Sequence, residues 1–254
     1  VEALAKQASV SAPTVLRFVA KIGYPRFADF QAAAIADVER QLGSPLNNIR
    51  SAVQAEKPDH IYQQTLLLQA EALQTAAAQA IPVEFDVIVD LLINPKITIK
   101  LLGGRYSQNL AQRLALQLGQ LRPSVFFTPL TLGFTYDALA DAGPQDCFVI
   151  FDYRRYQSEL LNFARGAKRS GARICLFTDT WRSPIAEYSD AVLTSPDSST
   201  SPFGSRVVPT AQIEAIVAAV SLRSHDRSRV RLARIEELRK LDDDAPSSGK
   251  DEAE

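Results

Sequence analysis

Ile97-Thr98-Ile99-Lys100-Leu101-Leu102-Gly103-Gly104-Arg105-Tyr106-Ser107 runs directly into Gln108-Asn109-Leu110-Ala111-Gln112-Arg113-Leu114. The stretch reads as a short apolar strand, a two-glycine turn and the start of a helix. A strand feeding a helix in this way aims the helix's first N–H groups at whatever fills the turn, which suits an anion such as phosphate. Lys100 is the discordant residue, because a central strand rarely carries a charge. It is expected at a strand end, or with its ammonium snorkelling outward.

Beyond this stretch the pattern alternates. Helical periodicity from about Ser107 to Gly119 gives way to a strand at Val125-Phe126-Phe127, then a helix from Leu132 to Ala140. A strand at Cys147 to Phe151, a helix at Ser158 to Ser170 and strands at Arg173 to Phe177 and Ala191 to Leu193 follow. A short strand is expected at Arg206 to Val208 and one long helix from Pro209 to about Leu241, whose basic run from Arg223 to Arg234 reads as a solvated face. Short, wholly apolar strands alternating with helices predict an α/β fold: a five-stranded, mostly parallel sheet sandwiched by helices. Immediately upstream, Val83, Val87, Ile88, Leu91 and Leu92 form one apolar helix face leading into the first strand.

The first 42 residues read as helical. Ser11 is a good N-cap and Pro13 is tolerated in a first turn, so a helix opens at Ser11-Ala12-Pro13-Thr14 after a shorter one ending near Ala8. Val15, Phe18, Val19 and Ile22 recur at i, i+3, i+4 and i+7 as a core-facing stripe, while Thr14, Arg17 and Lys21 lie on another face. Two short helices joined by a tight turn, the second with a polar and basic outer face, form the helix-turn-helix pattern. A helix fits the major groove, so Ser11, Ala12, Thr14 and Arg17 would face bases and Lys21 and Arg26 the phosphates. The other reading of the same residues is an amphipathic hairpin with a basic solvated face. A further helix is expected from Phe27 to about Leu42, then helices around Ile49 and Val53 and from about Asp59, the last suited to connection or dimer contact.

The chain has 254 residues, 46% hydrophobic and 22% charged, an ordinary globular composition that argues against a membrane-spanning or wholly disordered chain. Its net charge of −1 hides an asymmetry: residues 242–254 carry a net −5, leaving +4 on the rest, which permits nucleic-acid contact without demanding it. Cys147 and Cys175 sit in apolar runs and read as buried strand thiols. No signal peptide is evident, a cytoplasmic location is expected, and no motif calls for a cofactor or a metal. A first residue of Val and the absence of Met predict that the native start lies upstream. The expected organisation is a small helical head with the helix-turn-helix pattern at 1–44, linker helices at 45–81, an α/β domain at 82–241 and an acidic disordered tail at 242–254.

Leu4-Ala5, Ser9-Val10-Ser11-Ala12-Pro13-Thr14-Val15, Arg17-Phe18, Lys21-Ile22-Gly23-Tyr24, Phe27 and Phe30 closely resemble the N-terminal helix-turn-helix of the RpiR/MurR family of bacterial transcription regulators. Downstream, Leu102 to Ser107, Leu121-Arg122-Pro123, Gln145 to Asp152, Gly171-Ala172-Arg173, Thr178-Asp179, Ser183 to Ala186 and Ser189-Asp190 resemble the sugar isomerase (SIS) domain that these regulators carry. The resemblance implies a transcription regulator that binds double-stranded operator DNA as a homodimer or homotetramer. Its SIS-like domain would sense a small anionic sugar derivative, a phosphosugar or sugar acid. It also implies a ligand site at the carboxyl ends of the strands, where hydroxyl side chains and turn amides hold a phosphate. Ser107 fits that role.

Two departures follow. Arg105 stands where many SIS domains have a second glycine, and the loop after the third strand is Asp152-Tyr153-Arg154-Arg155-Tyr156-Gln157, without the usual serines and glycine. The candidate ligand residues are Gly104, Arg105, Ser107, Asp152, Arg154 and Arg155. Three readings of the loop stand open: Arg154 and Arg155 as forked donors to an anion, Arg105 and Arg154 paired with Asp152 and Glu159 across a closed site, or a dimer contact. The function alternatives are an SIS-domain isomerase, with Glu159 or Glu187 as base because His60 and His225 lie elsewhere, and a regulator whose SIS domain only oligomerises.

Overall fold

A strand composed as Cys147-Phe148-Val149-Ile150-Phe151 has no polar residue to mark a wet face and must be covered on both sides. In the computed structural model, which describes residues 1–31, 33–34 and 60–243, this segment is the middle of a parallel sheet. The strands are β1 (Thr98–Gly103), β2 (Val125–Phe127), β3 (Asp146–Phe151), β4 (Arg173–Asp179) and β5 (Ala191–Ser195). Their order is β2-β1-β3-β4-β5, and every neighbouring pair is parallel. The expected five-stranded sheet is therefore present, and all of it is parallel. The order reverses between β1 and β3, the place where open α/β sheets form a crevice at their carboxyl ends.

Two helices precede the sheet in the same unit, α3 (Ile61–Ala78) and α4 (Pro82–Ile93). Then come α5 (Gln108–Leu121), α6 (Leu132–Ala140), α7 (Ser158–Arg169), a 3-10 turn (Pro184–Tyr188), α8 (Val207–Arg223) and α9 (His225–Asp243). Alternation along each strand splits the core. Ile99, Leu101, Cys147, Val149, Phe151, Cys175 and Phe177 pack against α4, α5 and α8. Leu102, Phe148, Ile150, Ile174 and Leu176 face the other way, onto α7 and the 3-10 turn. Cys147 and Cys175 are buried, as their apolar surroundings predict, with sulfurs 3.7 Å apart.

Lys100 is neither at a strand end nor snorkelling. It lies opposite Phe148 in the register, and its Nζ reaches along that face to Asp146 Oδ1 at 2.9 Å, 5.5 Å from the Phe148 ring centre. Period-two alternation puts residues 146 and 148 on one face, so one carboxylate and one ring serve the same ammonium.

Three expectations need correction. Arg206 to Val208 is not a strand: Arg206 is the N-cap of α8, Ser205 Oγ accepts the Val207 N–H at 3.1 Å, and Pro209 sits in the first turn, where its missing N–H costs nothing. The single long final helix is two helices, broken at Ser224, whose hydroxyl donates to the Val220 carbonyl at 2.6 Å. The basic run after it is only partly a solvated face. Arg223 pairs with Asp86 and Asp90 on α4, Arg227 donates to the Ile93 carbonyl and Arg231 to that of Gly119, near the C-terminal ends of α4 and α5.

The chain divides into two units, Val1–Glu56 and Lys57–Glu254, so the boundary lies inside the segment expected as linker at 45–81. The reason is α3. Gln69 donates to the Ser198 carbonyl (3.1 Å) and accepts from Ser205 Oγ (2.6 Å), and the Thr65 and Thr200 hydroxyls are 2.7 Å apart, which ties α3 to the loop after β5.

In the first unit, α1 (Glu2–Gln7) and α2 (Ala12–Lys21) meet through Ala5, Val15 and Val19, with Tyr24, Phe27 and Phe30 alongside. Phe18 and Ile22, expected in this stripe, are exposed; the small core is filled by the aromatic residues after α2. Gly23, at φ +97°, ends α2. A helical turn begins at Phe27. The expected continuation through Ile35 and Val38, the helix around Ile49 and Val53, and the tail beyond residue 243 lie outside the described residues. Among the described residues no helix is long and apolar enough to cross a membrane.

Removing one member of a largely buried ion pair leaves the other charge uncompensated. Lys100→Ala is expected to cost about 3 kcal/mol in urea unfolding, whereas Lys100→Met combined with Asp146→Asn costs less than Lys100→Ala alone.

Candidate functional site

The carboxyl ends of β1, β3, β4 and β5 carry a concentration of polar side chains on an otherwise apolar sheet. Gly103 and Gly104 let the chain turn into α5 beneath them. A Cβ on Gly103 would lie 2.8 Å from the Ser107 backbone carbonyl carbon and oxygen, so no side chain fits there. A Cβ on Gly104 would lie 2.3 Å from Gln157 Oε1, which presses onto the turn and accepts the Arg105 N–H at 2.7 Å. Ser107, buried, donates its hydroxyl proton to the Phe151 carbonyl at 2.6 Å, and the Gly104 N–H goes to the same oxygen at 3.2 Å. The strand–turn–helix junction expected from the sequence is present, and its own chain occupies several of the turn's donors.

The loop after β3 is organised by Asp179 at the end of β4. This fully buried carboxylate accepts the Arg154 N–H at 2.7 Å, the Tyr156 hydroxyl at 2.6 Å and the Trp181 N–H at 3.0 Å. Burial and the bond to Asp179 raise the Tyr156 phenol pKa. Asp152 is also buried and accepts the Ser183 hydroxyl. Desolvation lifts its carboxyl to about 6, against the pull of the Ser183 bond, with Asp179 adding a smaller push upward.

The guanidinium of Arg154 pairs with Asp197 (3.3 Å) and lies 5.7 Å from the Trp181 ring centre. Arg206 stands 4.3 Å from the ring centre of buried Tyr153; burial lowers the arginine's pKa and raises the phenol's. Arg105 and Arg155 are exposed, with guanidinium carbons 5.5 and 5.8 Å from the Tyr106 ring centre. Arg155 holds φ +64°, a left-handed conformation that costs a non-glycine residue about 1–2 kcal/mol.

All six ligand candidates thus come to one edge of the sheet, but with different roles. Arg105 and Arg154 do not pair with Asp152 and Glu159 as one reading of the loop had it; Arg154 takes Asp197 instead, and Asp152 is committed to Ser183. Ser107 is buried with its proton directed inward. Glu159 and Glu187 are exposed, His60 caps α3 and His225 begins α9, so none joins the Asp152–Asp179 group. Sequence reasoning missed Gln157, Asp179, Asp197 and Arg206. An Asp ending the apolar run Arg173 to Thr178 is a legible signal for Asp179; Asp197 and Gln157 matter only through contacts that cross the fold.

In the head, Ser11 accepts the Thr14 N–H at 3.4 Å, and the two hydroxyls are 2.8 Å apart. Ala12 packs partly against the small core. Arg17 and Lys21 are exposed. Arg26 makes a two-point pair with Asp29, at 2.7 and 3.0 Å.

The SIS domain model matches residues 91–222, just over half of the chain. The chain belongs to the SIS domain family. No curated protein sequence matches it. Among solved structures, this SIS chain is similar to the sugar isomerase domain of an RpiR transcription factor from Sphaerobacter thermophilus, at 23% identity and a TM-score of 0.63, covering 70% of this chain and 98% of that one. It is also similar to the Vibrio vulnificus NanR protein complexed with ManNAc-6P, at 18% identity and TM-score 0.57, covering 92% and 83%. An Escherichia coli CFT073 protein in complex with A5P aligns at 16% identity and TM-score 0.53, covering 81% and 98%. At these identities the likeness establishes the fold.

The site makes two stability predictions. Because the Asp152 carboxyl holds its proton more tightly when folded, its favourable contribution is complete below ~pH 4 and is lost as pH rises to about 6. Asp152→Asn, which still accepts from Ser183, should therefore gain about 3 kcal/mol on the wild type between those limits, read as paired urea midpoints at pH 4 and 7. Gly103→Ala should cost about 1–3 kcal/mol, as overpacking against backbone does, while Gly104→Ala costs less because the Gln157 side chain can swing aside.

Proposed function

We propose that this chain is a DNA-binding transcription regulator whose SIS domain senses a small anionic sugar derivative and oligomerises. The observation carrying this reading is the division of α2. Val15 and Val19 bury against α1, while Ser11, Thr14, Arg17 and Lys21 stay on the solvent side with Ser11 capping the helix. That is the arrangement a major-groove helix needs. The proposed organisation remains a reading head ahead of an effector domain, with α3 reassigned to the latter, and cytoplasmic location belongs to the same proposal. The likeness to RpiR and NanR regulator structures adds support, since they combine the same sheet with sugar-phosphate ligands in at least one case.

Oligomerisation is supported by apolar side chains that α3 and α4 leave uncovered: Ile61, Tyr62, Leu66, Leu67 and Val83 are all exposed. A dimer presents two heads, which favours half-sites in dyad symmetry. An effector changes operator affinity only if it binds one arrangement of the heads better than another. Gln69 gives α3 a direct hold on the loop that carries Asp197 and Phe203, so occupancy of the site is felt by the first helix of the effector unit. The two carboxyl groups at the strand ends, Asp152 and Asp179, are buried and hydrogen-bonded to their own chain, which favours sensing over catalysis.

Fluorescence anisotropy of the chain's own promoter DNA, titrated across salt concentrations, tests the reading. Specific binding over random DNA is expected. Lys21→Ala should lower the salt slope by about one unit per head, and Arg26→Ala by less, because Asp29 already neutralises part of its charge. Equal affinity for promoter and random DNA would overturn the proposal.

A further inference from the structure

We propose that Asp197 is a two-position switch that reports a bound anion to α3. Its carboxylate pairs with Arg154, and a phosphate group that takes the Arg154 guanidinium hands it over to Arg206. The inference rests on the sensing role proposed above and adds the device that couples the site to the rest of its unit.

Arg154 is anchored so that its side chain can change partner while its backbone stays put. The backbone N–H is fixed on buried Asp179 at 2.7 Å. The guanidinium meets Asp197 Oδ2 through Nε at 3.3 Å and lies 5.7 Å from the Trp181 ring centre. That distance is longer than the ~2.8 Å of a two-point guanidinium–phosphate pair, and a phosphate carries more charge than a carboxylate. A phosphate group therefore competes well for Arg154.

A second partner for Asp197 stands beside it. Arg206 Nη1 and Asp197 Oδ2 lie 3.2 and 3.4 Å from the point that a Cβ on Gly204 would occupy, so the two groups are neighbours across a glycine. Arg206 donates to the Ser205 carbonyl at 2.9 Å and packs over Tyr153, but its Nε is buried without a hydrogen-bond partner among the described residues. A buried donor left unmade is costly, and an arriving carboxylate removes that cost.

Both positions of Asp197 act on the same loop, and that loop is tied to α3. The Asp197 carbonyl accepts the Ser205 N–H at 3.0 Å, closing the loop on itself. Gln69 grips it at the Ser198 carbonyl (3.1 Å) and the Ser205 hydroxyl (2.6 Å), and Thr65 meets Thr200 at 2.7 Å. Gln69 is 8% exposed, so water does not readily replace these bonds. Two arrangements of one loop, distinguished by which arginine holds Asp197, supply the two-state element that coupling requires.

Trp181 is the only tryptophan of the chain, so its emission reads the event at Arg154, and amide hydrogen exchange reads the response of α3. The full chain is titrated with inorganic phosphate and with glucose 6-phosphate at constant ionic strength. Phosphate should shift Trp181 emission and speed exchange in residues 197–205 and in α3, leaving α5 unchanged. Asp197→Asn should tighten phosphate binding by about tenfold, because a charged hydrogen bond no longer competes for Arg154. The gain should largely vanish in the Arg154→Gln background, which keeps the backbone bond to Asp179. Gln69→Ala should retain the Trp181 response and lose the response in α3. Silence of Trp181 toward both anions overturns the inference, as does phosphate affinity that is unchanged by Asp197→Asn or tightened equally in both backgrounds. A Trp181 response with unchanged exchange in α3 overturns it too. Promoter DNA affinity on the same preparations separates the two ideas. A chain that shows the coupled response but no specific DNA binding sinks the regulator reading alone, and one that binds its promoter without the coupled response sinks this inference alone.

Discussion

The end of the sheet depends on one buried carboxylate. Asp179 closes β4 with no solvent to stabilise its charge, and it is satisfied by two backbone N–H groups and a tyrosine hydroxyl from the segments around it. A buried anion so held is strongly directional, because each missing donor would leave charge uncompensated. The loop after β3 therefore cannot take the open, glycine-rich course of a phosphate cradle. It is drawn over β4, which sends Arg154 toward Asp197, leaves Arg155 in a left-handed conformation at the surface, and brings Gln157 to the start of α7 where its side chain reaches the turn after β1.

This gives an SIS frame with an altered interior. The parallel order β2-β1-β3-β4-β5 still makes a crevice where the order reverses, yet the donors lining that crevice are paired within the protein. Polarity has moved outward, to guanidinium groups and aromatic faces at the rim. The loop after β5 joins the two regions: Asp197 holds Arg154, Phe203 meets Tyr106, and Ser198 and Ser205 are gripped by Gln69 of α3. The rim of the crevice and α3 are thereby parts of one connected set of polar and ring contacts.

Most of the architecture was legible from local pattern. Apolar runs such as Cys147 to Phe151 announce strands, and their alternation with amphipathic helices admits few arrangements besides a parallel sheet. Errors fell where a side chain overrides periodicity. Ser224 breaks a helix whose residues favour continuation, and Arg206 caps a helix inside a stretch that reads as β. Phe18 and Ile22 obey helical spacing but lose their place in the small head core to Tyr24, Phe27 and Phe30. Lys100 looked like a fault in β1 because its partner, Asp146, is supplied by another strand.

The sequence by itself determined the layers, the parallel connectivity, the capped second helix of the head and the edge of the sheet where Gly104, Arg105, Ser107, Asp152, Arg154 and Arg155 would gather. Those follow from hydrophobic period, turn chemistry and chain order, all local properties. Which of the gathered groups remain open to a ligand was decided only in three dimensions. Gln157 reaching the Arg105 N–H, Ser183 meeting Asp152 and Asp197 pairing with Arg154 span 52, 31 and 43 positions. Hydrogen-bond partners at such separations are set by how the sheet's loops fold over one another, and no local signal encodes them.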